Sequence, residues 1–218
     1  LKNYFITGTG TSVGKTYLTC ELIKALKKKR ISLSAIKPVM SGYDKSFLAE
    51  SDTGLILSAL NLALTENNIA KISPWRFREP LSPDMAAARE NREINFKKLI
   101  DFSLNFDFGK DINFIEGVGG ILVPLTKNRT VLDWINKLNF PVILVAGSYL
   151  GTLSHTLSAL RVLKDSGAEV VAVVVSESEE QPVPLLETVN TLKRFCSYVP
   201  VLGLPRFQNA RAIARLIT

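Results

Sequence analysis

The run Gly8-Thr9-Gly10-Thr11-Ser12-Val13-Gly14-Lys15-Thr16 carries the plainest chemistry in this chain. A short apolar stretch (Tyr4, Phe5, Ile6) precedes it, and a helical pattern (Leu18, Leu22, Ile23, Leu26) follows. Strand, glycine-bearing loop, Gly-Lys-Thr and helix is the layout of a phosphate-binding loop. Backbone N–H groups converge on an anion there, and the helix N-terminus adds positive potential. Lys15 would reach the terminal phosphates, and the Thr16 hydroxyl would hold a magnesium ion. The spacing departs from G-x-x-x-x-G-K-[ST]: Thr9 stands where the first glycine belongs, and Gly8 lies one place earlier. The dinucleotide fingerprint G-x-G-x-x-G also fails, at Val13. The simpler alternative is a glycine-rich turn ahead of an amphipathic helix.

Other reactive residues stand at the ends of apolar runs. Lys37 closes one such run and precedes Pro38, which keeps the chain from turning straight into a helix. A second lysine beside a triphosphate suits phosphoryl chemistry, and a solvated strand end is the plain alternative. Glu116 closes Ile112 to Ile115, placed either to bind the magnesium of Thr16 or to face solvent or an arginine. Asp52 reads equally as a second magnesium ligand or as a helix N-cap. Gly117, Gly119 and Gly120 permit close approach of a small substrate, or simply make a tight turn. The run Gly147 to His155 leads from a strand into a helix whose first N–H groups would suit a carboxylate. Thr152 and Ser154 double as ordinary caps there. The single histidine, His155, reads as a capping or packing residue rather than a general base.

The elements that must position these residues alternate. Strand-like runs are Asn3 to Thr7, Leu33 to Lys37, Ile112 to Glu116, Val142 to Ala146, Val170 to Val175 and Val199 to Leu202. Helical patterns cover Lys15 to Lys29, Thr53 to Ala63, Phe96 to Phe102, Thr152 to Ser166, Leu185 to Phe195 and Ala210 to Ile217. Continuous apolar strands mean burial on both faces. The expectation is one α/β domain over residues 1–218, with a doubly wound, mainly parallel sheet flanked by helices. Ligands sit at the carboxyl ends of such strands, where GTGTSVGKT, KPVMSG, EGVGG and GSYLGTLSH would converge. Pro74, Pro80 and Pro83 mark Ile72 to Pro83 as an ordered excursion or loop.

With 218 residues the chain is long enough to bury about 70% of its extended surface without staples. Its two cysteines, Cys20 and Cys196, are far apart in apolar helical patterns and suit a reducing, cytoplasmic setting rather than a disulfide or zinc framework. No leader pattern is visible, and the apolar runs are too short to span a bilayer. The net charge of +7 includes Lys24, Lys27, Lys28, Lys29 and Arg30, a cluster that suits a helix C-terminus. A basic balance also suits anionic small molecules. No nucleic-acid reader motif accompanies it, so neither nucleic acid nor membrane is an expected partner.

These blocks together resemble the dethiobiotin synthetase family over nearly the whole chain. The resemblance rests on YFITGTGTSVGKT, IKPVMSG, Ser51-Asp52, EPLSPDMAA, IEGVGG with PLT, FPVILVAGSYLGTLSH and LGLPRF. The longer glycine spacing is itself a habit of that family, whose fold is that of the P-loop NTPases. It implies an ATP-dependent ligase that carboxylates 7,8-diaminononanoate with carbon dioxide. The ureido ring closes through a carbamic–phosphoric anhydride, releasing ADP and phosphate in biotin biosynthesis. It implies magnesium at Thr16, Asp52 and Glu116, and catalysis by Lys15 and Lys37 with Thr11 and Ser41 nearby. The nucleotide would lie on Gly8, Gly10, Thr11, Ser12, Val13, Gly14, Lys15, Thr16, Tyr17, Glu116, Gly119, Ser176, Leu204 and Pro205. The diamine would meet Ser41, Pro80, Gly117 and Val118, with its tail at Leu150, Gly151 and Ser154 of a second subunit in a homodimer.

The chain departs from the family pattern in four places. Gly10 stands where an aspartate is frequent, and Ser12 where an acidic residue is common. Ser176 and Ser154 stand where asparagines are common. Adenine selectivity through that asparagine is therefore in question, and backbone near Gly203 to Pro205 is the other candidate for reading the base.

A different class of protein shares the expected fold: switch ATPases of the partition or septum-positioning type. They usually carry an early lysine in the loop, and Thr7 to Ser12 offer none. A guanine-binding N-K-x-D motif fails at Asn139 in Asn136-Lys137-Leu138-Asn139.

Overall fold

A computed structural model describes residues 2–106 and 109–218. The first half of the chain runs β1 (Lys2–Gly8), α1 (Lys15–Lys28), β2 (Leu33–Ile36), β3 (Val39–Met40), α2 (Asp52–Leu60), α3 (Glu66–Ile72), β4 (Trp75–Arg76), α4 (Pro83–Arg89) and α5 (Phe96–Asn105). The second half runs β5 (Ile112–Glu116), β6 (Pro124–Thr126), β7 (Arg129–Thr130), α6 (Val131–Leu138), β8 (Val142–Gly147), α7 (Thr152–Asp165), β9 (Val170–Ser176), α8 (Leu185–Phe195), β10 (Val201–Leu204) and α9 (Arg211–Ile217). A 3-10 turn covers Lys45–Glu50.

Six strands form one sheet in the order β10-β9-β8-β1-β5-β2, and every neighbouring pair is parallel. A wholly parallel sheet must be covered on both faces, and β8 and β9 accordingly contain almost nothing but β-branched and small aliphatic residues. Phe5, Ile6, Phe114, Ile115, Val142 to Ala146 and Val173 to Val175 are fully buried. On one face Trp134 of α6 meets the Phe5 ring edge-on, with centroids 4.9 Å apart at 86°. Its buried indole N–H donates to Ser103 Oγ at 3.1 Å, so this large core residue leaves no polar group stranded.

The expected architecture is present. The last strand lies two residues later than its apolar run suggested, at Val201–Leu204. The helix expected over Thr53 to Ala63 ends at Leu60, because Asn61 adopts the left-handed conformation (φ 61°) that terminates it. The Pro-rich excursion is ordered: it holds β4 and the start of α4, where Pro83 occupies the first helical turn. Strand β3 pairs with β4, which fastens the excursion beside the Lys37 strand end.

Candidate active site

The loop between β1 and α1 is shaped for an anion. Gly14 sits at the N-cap of α1 with φ 94°, and no side chain caps the helix there, so its first N–H groups are open to a ligand. An L side chain at Gly14 would be strained and would strike Ser176 at the end of β9. Thr9 N–H donates to Val145 O at 2.9 Å and anchors the loop to β8. The Lys15 ammonium folds back along it, donating to Gly10 O at 2.7 Å and Gly119 O at 2.9 Å. It thereby joins the β1 loop to the loop after β5. Burial, with the nearby Lys37 charge, lowers the Lys15 pKa to about 8 against the pull of Glu116 and Asp52.

Three more stretches of chain bring a charged cluster to the same edge. Lys37 Nζ lies 2.7 Å from Glu116 Oε1 and 3.0 Å from Asp52 Oδ2, with both Lys37 and Glu116 buried. Burial would depress the Lys37 pKa, but the two carboxylates reverse the sign and hold it above the usual lysine value. Asp52 is likewise held below the usual carboxylate value: burial opposes this, and Lys37 with the Thr16 hydroxyl outweighs it. The solvated-end alternatives for Lys37 and Glu116 are excluded. The N-cap of α2 is Ser51, whose Oγ accepts from Gly54 N–H at 3.1 Å. Asp52 is the next residue, and its side chain turns to the cluster.

Thr16 Oγ1 lies 2.7 Å from Asp52 Oδ1 and 2.6 Å from Glu116 Oε1. A hydroxyl has one proton, so one of these two close oxygen pairs has no hydrogen between its members. A hard divalent cation answers that crowding of oxygens, and the residues fit one. Among the described residues no cluster of three His, Cys, Asp or Glu suits a metal. A cation here would rest on two carboxylates, a hydroxyl and incoming phosphates, which suits magnesium.

The cleft above this cluster encloses about 660 Å³ and is lined by Thr11, Ser41, Pro80 and Val118 among others. Ser41 Oγ is buried without a hydrogen-bond partner. Beside it, across the phosphate loop, a recess of about 360 Å³ is lined by Ser12, Tyr17, Ser176, Glu177, Arg206 and Phe207. Leu204 is buried in β10, while Tyr17 Oη approaches Pro205 O at 3.3 Å.

Comparison with known proteins bears on what this edge does. Residues 2–209 match the family model described as an AAA domain. An ATP-dependent dethiobiotin synthetase of Acidiphilium cryptum is 42% identical over 202 residues, covering 92% of this chain and 91% of that protein. One from Phenylobacterium zucineum is 40% identical over 209 residues (94% and 89%), and one from Bacillus licheniformis 33% over 213 residues (96% and 88%). The chain belongs to the ATP-dependent dethiobiotin synthetase family. Solved structures of the hydrogenase maturation factor HypB from Archaeoglobus fulgidus and the septum site-determining protein MinD from Pyrococcus horikoshii are similar in fold. The TM-scores are 0.56 and 0.52, at 11% and 17% identity, covering 98% and 94% of this chain and 87% and 81% of those chains. At such identities the likeness is one of fold alone, and nothing further favours the switch-ATPase alternative.

Within this dethiobiotin synthetase fold, not every residue singled out in the sequence reaches the cleft. Leu150, Gly151 and Ser154 are exposed at the start of α7, outside the cleft lining. The three glycines after β5 answer first to the chain's own packing. A Cβ at Gly117 would lie 3.0 Å from the Phe5 ring, one at Gly119 would strike Val123, and one at Gly120 would lie 3.1 Å from Thr9 O. Gly117 does offer its carbonyl to Lys37, at 3.2 Å. His155 does not cap α7; it is exposed and packs against Tyr149, with ring centroids 5.7 Å apart and Nδ1 2.8 Å from Tyr149 Oη. Thr19, Glu177, Arg206 and Phe207 are among the residues at this edge to which the sequence motifs gave no role.

Proposed function

We propose that this chain performs the reaction of its family. It joins carbon dioxide to the adjacent amines of 7,8-diaminononanoate and closes a cyclic urea as ATP becomes ADP and phosphate. The observation that carries this reading is the meeting of the phosphate loop with Lys37 and Asp52 in one cleft, with Glu116 buried behind them against Thr16 and Lys37. A phosphate loop alone would serve any nucleotide hydrolase. A second buried lysine beside it suits a second anion held next to the triphosphate.

The loop N–H groups and Lys15 bind the β- and γ-phosphates, and the Ser12–Tyr17–Ser176 recess receives the base, with Leu204 and Pro205 alongside. The diamine occupies the wider part of the cleft, against Ser41, Pro80 and Val118. One amine takes up carbon dioxide and loses a proton to give a carbamate, whose charge Lys37 and Lys15 offset. A carbamate oxygen attacks the γ-phosphorus as the bond to the bridging oxygen of ADP breaks. The second amine then attacks the activated carbonyl and expels phosphate. Fixed donors and exclusion of water supply the acceleration. Thr16, Asp52 and Glu116 would hold magnesium, which would supply charge neutralisation at the phosphates.

The exposed Leu150, Gly151 and Ser154 lie beyond reach of their own cleft. A homodimer that brings them to the partner's diamine tail accounts for their exposure. Among the described residues no helix is long and apolar enough to cross a membrane. The free, buried cysteines suit a reducing cytoplasm.

The test is ADP release with magnesium, ATP, bicarbonate and diamine, each omitted in turn, with mass detection of the cyclic urea. Release that needs both bicarbonate and diamine supports the reading. Release indifferent to them overturns it.

A further inference from the structure

Glu116 is fully buried, and its two carboxylate oxygens are served differently. Oε1 faces Lys37 and Thr16 in the cleft, whereas Oε2 receives the hydroxyl of Thr19 at 2.6 Å. Thr19 is itself fully buried on α1, one turn after Lys15, and is not one of the residues that line the cleft. A threonine inside a helix ordinarily donates to the carbonyl four residues back. Here Lys15 O stands at 3.0 Å, longer than the carboxylate contact and uncharged. The single hydroxyl proton goes to the shorter, charge-assisted bond. Thr19 is thus drawn away from the usual back-bond of its own helix toward a strand 97 positions away.

We propose that Thr19 is a positioning residue that fixes the rotation of the Glu116 carboxylate, so that Oε1 faces the magnesium and Lys37. This rests on the reading of Thr16, Asp52 and Glu116 as the magnesium-holding set. A carboxylate turns freely about its last bond unless both oxygens are held. Hydrogen bonds behind a metal ligand commonly set metal affinity about 10- to 100-fold. Without the Thr19 hydroxyl, Oε2 loses the donor that holds it among the described residues, and the carboxylate turns both oxygens toward Lys37 and Thr16. Magnesium then has to compete with those contacts.

The experiment compares Thr19→Val, Thr19→Ser and Thr19→Ala with wild type. Binding of a fluorescent ADP analogue is measured with EDTA and across a magnesium titration, alongside kcat and KM. Thr19→Val should raise the magnesium concentration at half effect about tenfold and leave EDTA-state affinity within twofold. Its kcat at moderate magnesium should fall, and saturating metal should recover it. Thr19→Ser should restore the wild-type titration. Thr19→Ala should behave as Thr19→Val, which keeps the test open should the valine variant fold poorly. A wild-type magnesium titration in Thr19→Val, or equal losses with and without metal in all three variants, overturns the assignment. Glu116→Gln is the reference: if it keeps the wild-type magnesium titration, the metal reading itself has failed, and not Thr19 alone.

Discussion

Lys37 shows how much one side chain does here. It is 3% exposed, between a fully buried glutamate and a half-exposed aspartate. Removing it strips the moving phosphoryl group and the carbamate of a fixed positive charge. Lys37→Ala should therefore lower kcat about 100-fold, while the equilibrium affinity for ADP changes little. The same change leaves Glu116 and Asp52 facing each other without a cation, a loss of about 3 kcal/mol for a broken buried pair. Magnesium restores positive charge at that place, so it should raise the melting temperature of Lys37→Ala more than that of wild type. A thermal shift series reads both effects, and equal magnesium shifts would separate Lys37 from the metal set. Lys37 and Glu116 were legible in the sequence because each ends an apolar run at the functional edge. Thr19 was not legible. It sits between Leu18 and Cys20 in a buried helix face, and its partner is visible only once the sheet brings β5 beside α1.

At the level of elements, parallel pairing makes the strands easy to read and the short helices hard. Several sheet strands, β8 and β9 above all, appear as continuous apolar runs, since both faces are covered. Helix α3 buries only Ile69 and Ile72 in seven residues, too few turns to show a period. Helix α4 begins at Pro83, a residue that announces a loop unless its fitness for the first helical turn is weighed. Helix α6 holds Val131, Trp134, Ile135 and Leu138 at helical spacing within eight residues, directly after the β6–β7 hairpin. The Asp52 ambiguity resolves at this scale too, because Ser51 takes the cap and leaves the next carboxylate to the cleft. Ser51→Ala should cost about 1 kcal/mol in a urea melt. It should also weaken magnesium-dependent nucleotide binding, because the first turn of α2 carries Asp52. Ser51→Asp should recover the stability. A melt unchanged by Ser51→Ala would mean that the cap contributes nothing.

For the whole molecule, large apolar side chains stand exposed outside the cleft. Leu150, just before α7, is 82% exposed; Leu122 is 54% exposed and lines a groove where the loop after β5 meets α7. Surface of this kind marks association. Leu150→Asp should convert a dimer to a monomer by light scattering and raise KM for the diamine with little change in KM for ATP. A dimer that survives it with unchanged kinetics would dissociate this face from the substrate. The thiols are the opposite case. Burial drives Cys20 up to about 12 and raises Cys196 as well, so neither is a ready nucleophile. An aromatic disulfide reagent at neutral pH should label neither in the native state and both in denaturant. Rapid native labelling would show that the core opens locally.

The packing of β1 also gives this molecule a built-in lamp. The Trp134 indole leans on Phe5, the Phe5 ring fills the space beneath Gly117, and the Gly117 carbonyl receives Lys37. Any shift of that lysine as reactants arrive is passed through two tightly fitted neighbours to a chromophore that solvent never touches. In a Trp75→Phe background, its ultraviolet emission should report such a shift from inside, with no dye attached.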